Sequence, residues 1–478
     1  MRFLIKSCEL PERSGLQDVR ISNGLIEKIH SNIIPTDEDT LIQASGGLLL
    51  PGLHDHHIHL MSFAASLNSI HCGPPEVHTD GELAAILQAG NQGKKTNWLR
   101  GIGYHNSVAG DISRDWLDDY IPDRPARIQH RGGRLWVLNS AGLDALGLLS
   151  KANVNNLPKG LETDNNNRPT GRLYENDRWL RIALNTTMPA LSDASYLLAS
   201  CGVTGVTDTS PHNSSQEWAH LKTQQELGYL LQSVRVMGSL DLDIEQNDIS
   251  NSELLTTGEY KIHLLESELP DFHALCNSIQ QARSQGRNIA VHCVSLTELV
   301  FALACIEEVG IVRGDRIEHA SITSSDMLSR MAKIGLRVVT QPHFIAERGD
   351  QYLQDVEKNE CALLYRLQSF LDAGVPLAAG SDAPFGGFDP WLSMRAATQR
   401  KTPNGTILGE EECLSPEQAL ALYTSDPSKP GVTQRTVSRG NAASLCLLTK
   451  PWSEARKNLT SDLVSHTWQR GKLIYSRD

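Results

Sequence analysis

The sequence has no CxxC pair; its nine cysteines are scattered singly along 478 residues. Disulfide frameworks belong to short secreted chains, so these thiols are expected to be reduced core residues of a cytoplasmic protein. No apolar run approaches the roughly 18 residues that a membrane span needs. The first residues, with Arg2 and Lys6 inside a short apolar run, lack the apolar stretch and small-residue cleavage site of a secretory leader. Basic charge is not in surplus: 44 Lys and Arg against 56 Asp and Glu leave −12. That balance argues against nucleic acid or an anionic membrane as partner and leaves a small molecule as the expected one. Neither a GxxxxGK[ST] loop nor a useful GxGxxG is present, which removes the common phosphate and dinucleotide readings. No internal repeat or long low-complexity segment interrupts the chain.

What is present is a rhythm. At 40% hydrophobic content the chain can bury a sizeable core. Short β-rich runs recur at 48–53, 205–208, 234–240, 260–264, 288–292, 316–319, 337–341 and 376–380. Amphipathic stretches at 272–285, 297–309 and 326–335 lie between several of them. Strands alternating with helices imply parallel βα units, and eight units close into an α/β barrel of the TIM type. The two ends read differently, as short strands near 3–5, 19–21, 25–29, 444–448, 462–467 and 472–475. They are expected to form one small β-domain, residues 1–50 plus 435–478, beside a barrel over 51–434. A long gap after the first run, about 62–195, is expected to be an insertion over the barrel mouth, since a structureless loop of that length would be unusual.

The sharpest local signal follows the first run: Pro51-Gly52-Leu53-His54-Asp55-His56-His57-Ile58-His59. On an extended chain, residues two apart share a side, so His57 and His59 can offer two imidazoles to one metal ion. His54 and His56 have the same spacing and leave the register open. Three more runs end in residues of the same chemistry: His292, Glu318-His319 and Ser381-Asp382. Each alone has a structural reading, such as Asp382 as a helix cap. On one barrel, such strand ends would meet at its mouth.

This series, PGLHDHHIHL followed by Lys261, His292, His319 and Asp382, resembles the metal site of the amidohydrolase superfamily over nearly the whole chain. The strings RIEHAS, QPHF, GSDAPFG and LWVLNSAGL are similar to its branch of formamide deformylase-like and AepA-like proteins. The resemblance implies a barrel with a split β-domain, and Asp55 favours the His57/His59 register. It implies metal ligation by His57, His59, Lys261, His292, His319 and Asp382. Lys261 can ligate only as a carbamate, because an ammonium has no lone pair; the other reading is an ion pair with Glu266 or Glu268. The implied cofactor is a divalent metal, zinc by default with manganese, iron or nickel compatible, as two ions if Lys261 is carbamylated and one if not. Such a metal makes hydroxide available at neutral pH and polarises a carbonyl. Asp382 is then the expected general base, with His319 as ligand or orienting group. The expected reaction is hydrolysis of a C–N bond in an amide, N-acyl, N-formyl or cyclic amide compound. Members of the family often form homodimers.

His343, His105 and Arg134 are weaker candidates for substrate binding, and Arg134 stands where the branch often has histidine. Cys293 should point into the core. Three alternatives remain: a deaminase of the same fold, disfavoured because no acid follows His292 until Glu298; a barrel scaffold without activity; and an isomerase or lyase using the same metal.

Overall fold

The computed structural model describes residues 2–92, 98–150, 157–185, 188–242 and 254–477. Two compact units share the chain: Met1–Leu60 with Ala190–Asp478, and Met61–Pro189.

The first unit holds the barrel. Its strands are β1 (Leu53–Ile58), β2 (Val203–Asp208), β3 (Ser233–Gly238), β4 (Leu255–His263), β5 (Ile289–Cys293), β6 (Arg316–His319), β7 (Arg337–Thr340) and β8 (Leu377–Ala379). They pair in sequence order, each parallel to the next. The ring closes where the amide of Asp382 donates to the His57 carbonyl at 2.7 Å and that of His59 to the Ala383 carbonyl at 3.0 Å. Gly380 makes the closure possible: a Cβ there would lie 2.3 Å from the His57 amide nitrogen. Helices alternate with the strands for local reasons. Ser295 and Glu298 form a capping box at the start of Leu296–Val309. Ser324 caps Ser325–Ile334, which ends at Gly335 with φ 69°.

The first apolar run divides at Gly52. Residues Leu49–Pro51 pair with Leu445–Leu448 in a four-stranded sheet with Val464–Gln469 and Lys472–Ser476, so only Leu53 onward belongs to the barrel. A second sheet holds Arg2–Cys8, Gln17–Ser22, Leu25–His30 and Asp39–Gln43, the last of which the sequence pattern did not reveal. Both sheets contribute to one apolar cluster that includes Phe3, Ile5, Ile21, Leu49, Leu447 and Trp468. Phe3 meets Trp468 edge to face at 6.0 Å. Full burial of such side chains stabilises the fold by roughly 1.5–3 kcal/mol each.

The described residues of the second unit build a sheet of their own. Its six strands run Leu161–Thr163, Pro169–Tyr174, Leu135–Leu138, Ala126–His130, Leu99–Tyr104, Ile70–His71. Among the described residues, no helix is long and apolar enough to cross a membrane.

Candidate metal centre

The carboxyl ends of β1, β4, β5, β6 and β8 carry the polar side chains that the sequence singled out. His57 and His59 each direct Nε2 to within 3.2 Å of one oxygen, Asp382 Oδ1. The potential ligand atoms of these three residues all lie within 4.8 Å of one another. The ring of His319 lies 4.7 Å from that of His57 and 4.4 Å from that of His292. His263, two residues beyond Lys261 on β4, places its exposed ring 4.4 Å from His292.

Backbone strain aims two of these groups. Alternation along β6 would turn Glu318 and His319 to opposite faces. His319 instead adopts φ 66° and Asp382 φ 54°, a left-handed conformation that such residues rarely take. Both Glu318 and His319 therefore reach the His57 ring, Glu318 through a hydrogen bond to Nδ1.

The surrounding contacts fix the donors. His59 Nδ1 lies 3.2 Å from Ser210 Oγ, and His319 Nδ1 lies 2.7 Å from Gln341 Oε1. One oxygen of Asp55 accepts the amides of His57 and Ser381, both at 3.0 Å, tying β1 to the end of β8. Glu318 is fully buried and bonded to Arg316 as well as His57. Glu318, Gln341, Ser210 and Arg316 were not predicted as site residues. The strings RIEHAS and QPHF contained three of them, Arg316, Glu318 and Gln341, without giving them a role.

The electrostatics separate the imidazoles. Burial pushes His292 well below its ordinary value, reinforced by His319, and brings His319 down to about 3. Both therefore stand neutral, with a lone pair available. Burial and the Lys261 charge pull His57 down, yet the carboxylates of Glu318 and Asp382 outweigh them and raise it. Burial would raise Asp382, but its contacts with His57 and His59 hold it well below the carboxylate range. Lys261 is 4% exposed, and its Nζ has no hydrogen-bond partner among the described residues. Burial brings it down to about 8. The expected alternative pairing with Glu266 or Glu268 is absent, because Glu266 turns to Thr297 and Lys261 bonds to neither.

The family model described as the amidohydrolase family matches residues 40–475. The chain belongs to the amidohydrolase family. It is 24% identical to YtcJ of Bacillus subtilis (strain 168) over 84% of this chain and 83% of that one. It is 26% identical to the N-substituted formamide deformylase of Arthrobacter pascens over 91% of this chain and 90% of that one. Among solved structures it resembles an uncharacterized metal-dependent hydrolase from Pyrococcus horikoshii, with TM-score 0.72, 20% identity, and 94% of this chain and 98% of that one covered.

This amidohydrolase is therefore a metal-dependent enzyme, and its donor set suits a divalent cation. Two imidazole nitrogens and a carboxylate oxygen converge, and His57 Nε2 is buried without a well-aligned hydrogen bond. The other histidine pair on β1 is turned elsewhere: His54 Nε2 meets Thr207 Oγ1 at 2.9 Å and His56 Nε2 meets Ser425 Oγ at 3.0 Å.

The weaker candidates are engaged in other contacts. His343 has Nδ1 3.1 Å from Ser393 Oγ and Nε2 3.0 Å from the Ser381 carbonyl, so Nε2 supports the backbone next to Asp382 while Ser393 holds the other side of the ring. In the second unit, His105 caps the helix Asn106–Ala109, and Arg134 pairs with Glu175. Cys293 is fully buried, as strand alternation implied.

Proposed function

We propose that this amidohydrolase hydrolyses a C–N bond of a small molecule, an amide, N-acyl, N-formyl or cyclic amide compound. The convergence of His57, His59 and Asp382 on one point at the barrel's carboxyl end carries this reading. The name of the Arthrobacter pascens relative supports N-formyl compounds as the first to test. His57, His59, His292 and His319 would hold the metal, zinc by default, with Asp382 beside it. When bound, that ion supplies water activated at neutral pH and a polarised carbonyl.

The protein's own groups do the rest. Asp382, kept ionised by the two imidazoles, accepts a proton from the attacking water on a carboxylate oxygen. The same carboxyl then hands that proton to the leaving nitrogen. Glu318 holds Nδ1 of His57, and Gln341 holds Nδ1 of His319, so each ring presents Nε2 to the centre. The unpartnered Lys261 Nζ supports carbamylation: the neutral amine nitrogen would bond to the carbon of CO2 and lose a proton, giving a carbamate whose oxygens could serve as metal ligands. Glu298, the first acid after His292 and beyond the spacing a deaminase reading would need, is committed to capping its helix and to the Glu266 amide.

The test is metal analysis of the purified chain joined to a screen of N-formyl, N-acyl and cyclic amides, following amine release. One or two ions per chain and release of amine from one class are expected. Intact protein mass should show the carbamate if two ions are bound. A chain that takes up no divalent metal, or that releases ammonia from rings and cleaves no amide, overturns the proposal.

A further inference from the structure

Some buried guanidiniums in this chain have their donors taken up by carbonyls or a carboxylate. Arg400 donates to the carbonyls of Leu408, Tyr365 and Leu364 at 2.6–2.9 Å. Arg20 forms an ion pair with Asp39 at 2.7 Å. In the second unit two arginines lie side by side with fewer partners. Arg100 and Arg127 are register partners on neighbouring parallel strands, Leu99–Tyr104 and Ala126–His130, so their side chains leave the same face of the sheet. Trp136, opposite Gln129 on the next strand, rises from that face as well. The Arg100 guanidinium lies 5.6 Å from the centre of the Trp136 ring and that of Arg127 4.8 Å, with Trp98 a further 6.0 Å neighbour of Arg127.

Both arginines are half-buried, and among the described residues neither forms an ion pair with a carboxylate. Arg100 donates to Ser69 Oγ at 2.6 Å. Among the described residues Arg127 finds no side-chain hydrogen-bond acceptor, and its buried Nε lacks a partner. The acid that both sense is Asp177, whose Oδ1 accepts the Trp136 indole N–H at 2.8 Å and the Gln129 amide at 3.4 Å. Burial brings each guanidinium down to about 10, and for Arg127 the Arg100 charge adds to it.

Stacking on an indole accounts for the position of the rings. It does not account for two neighbouring cations that share one engaged acid, with the buried Nε of Arg127 left unpartnered among the described residues. A guanidinium fork matches the two oxygens of a carboxylate or phosphate group. We propose that Arg100 and Arg127, floored by Trp136, form an oxoanion-binding site in the second unit, separate from the chemistry of the barrel residues. The ligand is a small anion bearing a carboxylate or phosphate group; its oxygens accept N–H donors of the two guanidiniums, and its charge offsets the mutual repulsion of the two arginines.

The experiment titrates the metal-loaded full chain with inorganic phosphate and with succinate, at constant ionic strength in chloride. Binding is followed by calorimetry and by the thermal midpoint, in wild type, R100Q, R127Q and the double variant. Saturable binding that weakens about tenfold or more in each single variant and disappears in the double variant is expected. Preference for phosphate or for succinate names the class of ligand. Without added anion, R127Q should melt no lower than wild type, because a repulsive pair has been reduced to one cation. If R127Q fails to fold, R127K, which keeps the charge and loses the fork, should show the same weakening. Anion binding unchanged in the double variant or R127K, anions acting no better than chloride, or an R127Q midpoint lowered without any anion response in wild type overturns the proposal.

Discussion

Barrel strand Leu53–Ile58 and the residue after it carry two pairs of imidazoles, and the two pairs meet different surroundings. His54 and His56 are buried against hydroxyls, those of Thr207 and Ser425, and burial pushes both well below their ordinary value. They behave as neutral core side chains. His57 and His59 turn to the carboxylate of Asp382, with Glu318 behind His57. The residue type and the spacing are identical. What separates a packing histidine from a candidate ligand is the charge of the group it faces: a hydroxyl satisfies one neutral imidazole, whereas a carboxylate shared by two converging nitrogens leaves a place suited to a cation.

The comparison can be broken most severely at its charged side. D382N should lower kcat by about 10²–10⁴-fold, the range for loss of a general base, while circular dichroism stays native. Near-normal turnover in D382N would remove Asp382 from the chemistry. Next in size, E318Q should weaken metal affinity by about 10–100-fold, measured by competition with a chromophoric chelator, because the carboxylate that orients His57 is gone. Unchanged affinity would reduce Glu318 to a packing role. On the other face, H54A and H56A should retain bound metal but lose about 1–3 kcal/mol of stability in urea titration, since each strands a buried hydroxyl. Loss of metal in either variant would erase the distinction between the faces.

The smallest effect lies outside the barrel and separates acid unfolding from events at the site. Burial would raise Asp18, but Lys6 and the amides of Ile33 and Ser7 overcome it and hold the carboxyl below its ordinary value. A depressed carboxyl stabilises the folded chain above its unfolded value, near 3.9, and that contribution is lost as pH falls through the lower folded value. D18N should therefore flatten the decline of the thermal midpoint below about pH 4 and leave turnover at neutral pH unchanged. An identical acid profile in D18N would contradict this.

The sequence and the structure part company at definable places. The eight barrel strands were legible because fully buried parallel strands read as short apolar runs. His57, His59, His292 and Asp382 were legible because they end such runs. The β1 boundary was misplaced because Leu48 to Leu53 is one apolar run, and only the fold shows that it serves two sheets, dividing at Gly52. Glu318 was passed over because strand alternation turns it away from His319, and only the left-handed turn at His319 brings both to His57. Gln341 and Ser210 act solely through the rings they hold, across separations of 22 and 151 residues, and no local pattern encodes that. His343 looked like a substrate contact from its strand end, yet Ser393 and the Ser381 carbonyl already engage both of its nitrogens.

The most direct measurement is anomalous X-ray diffraction from crystals of the metal-loaded enzyme. The account predicts a peak within about 2.0–2.2 Å of His57 Nε2 and His59 Nε2, with Asp382 beside it. A peak between His54 and His56, or a fully loaded crystal whose ion touches none of His57, His59 and Asp382, would contradict it.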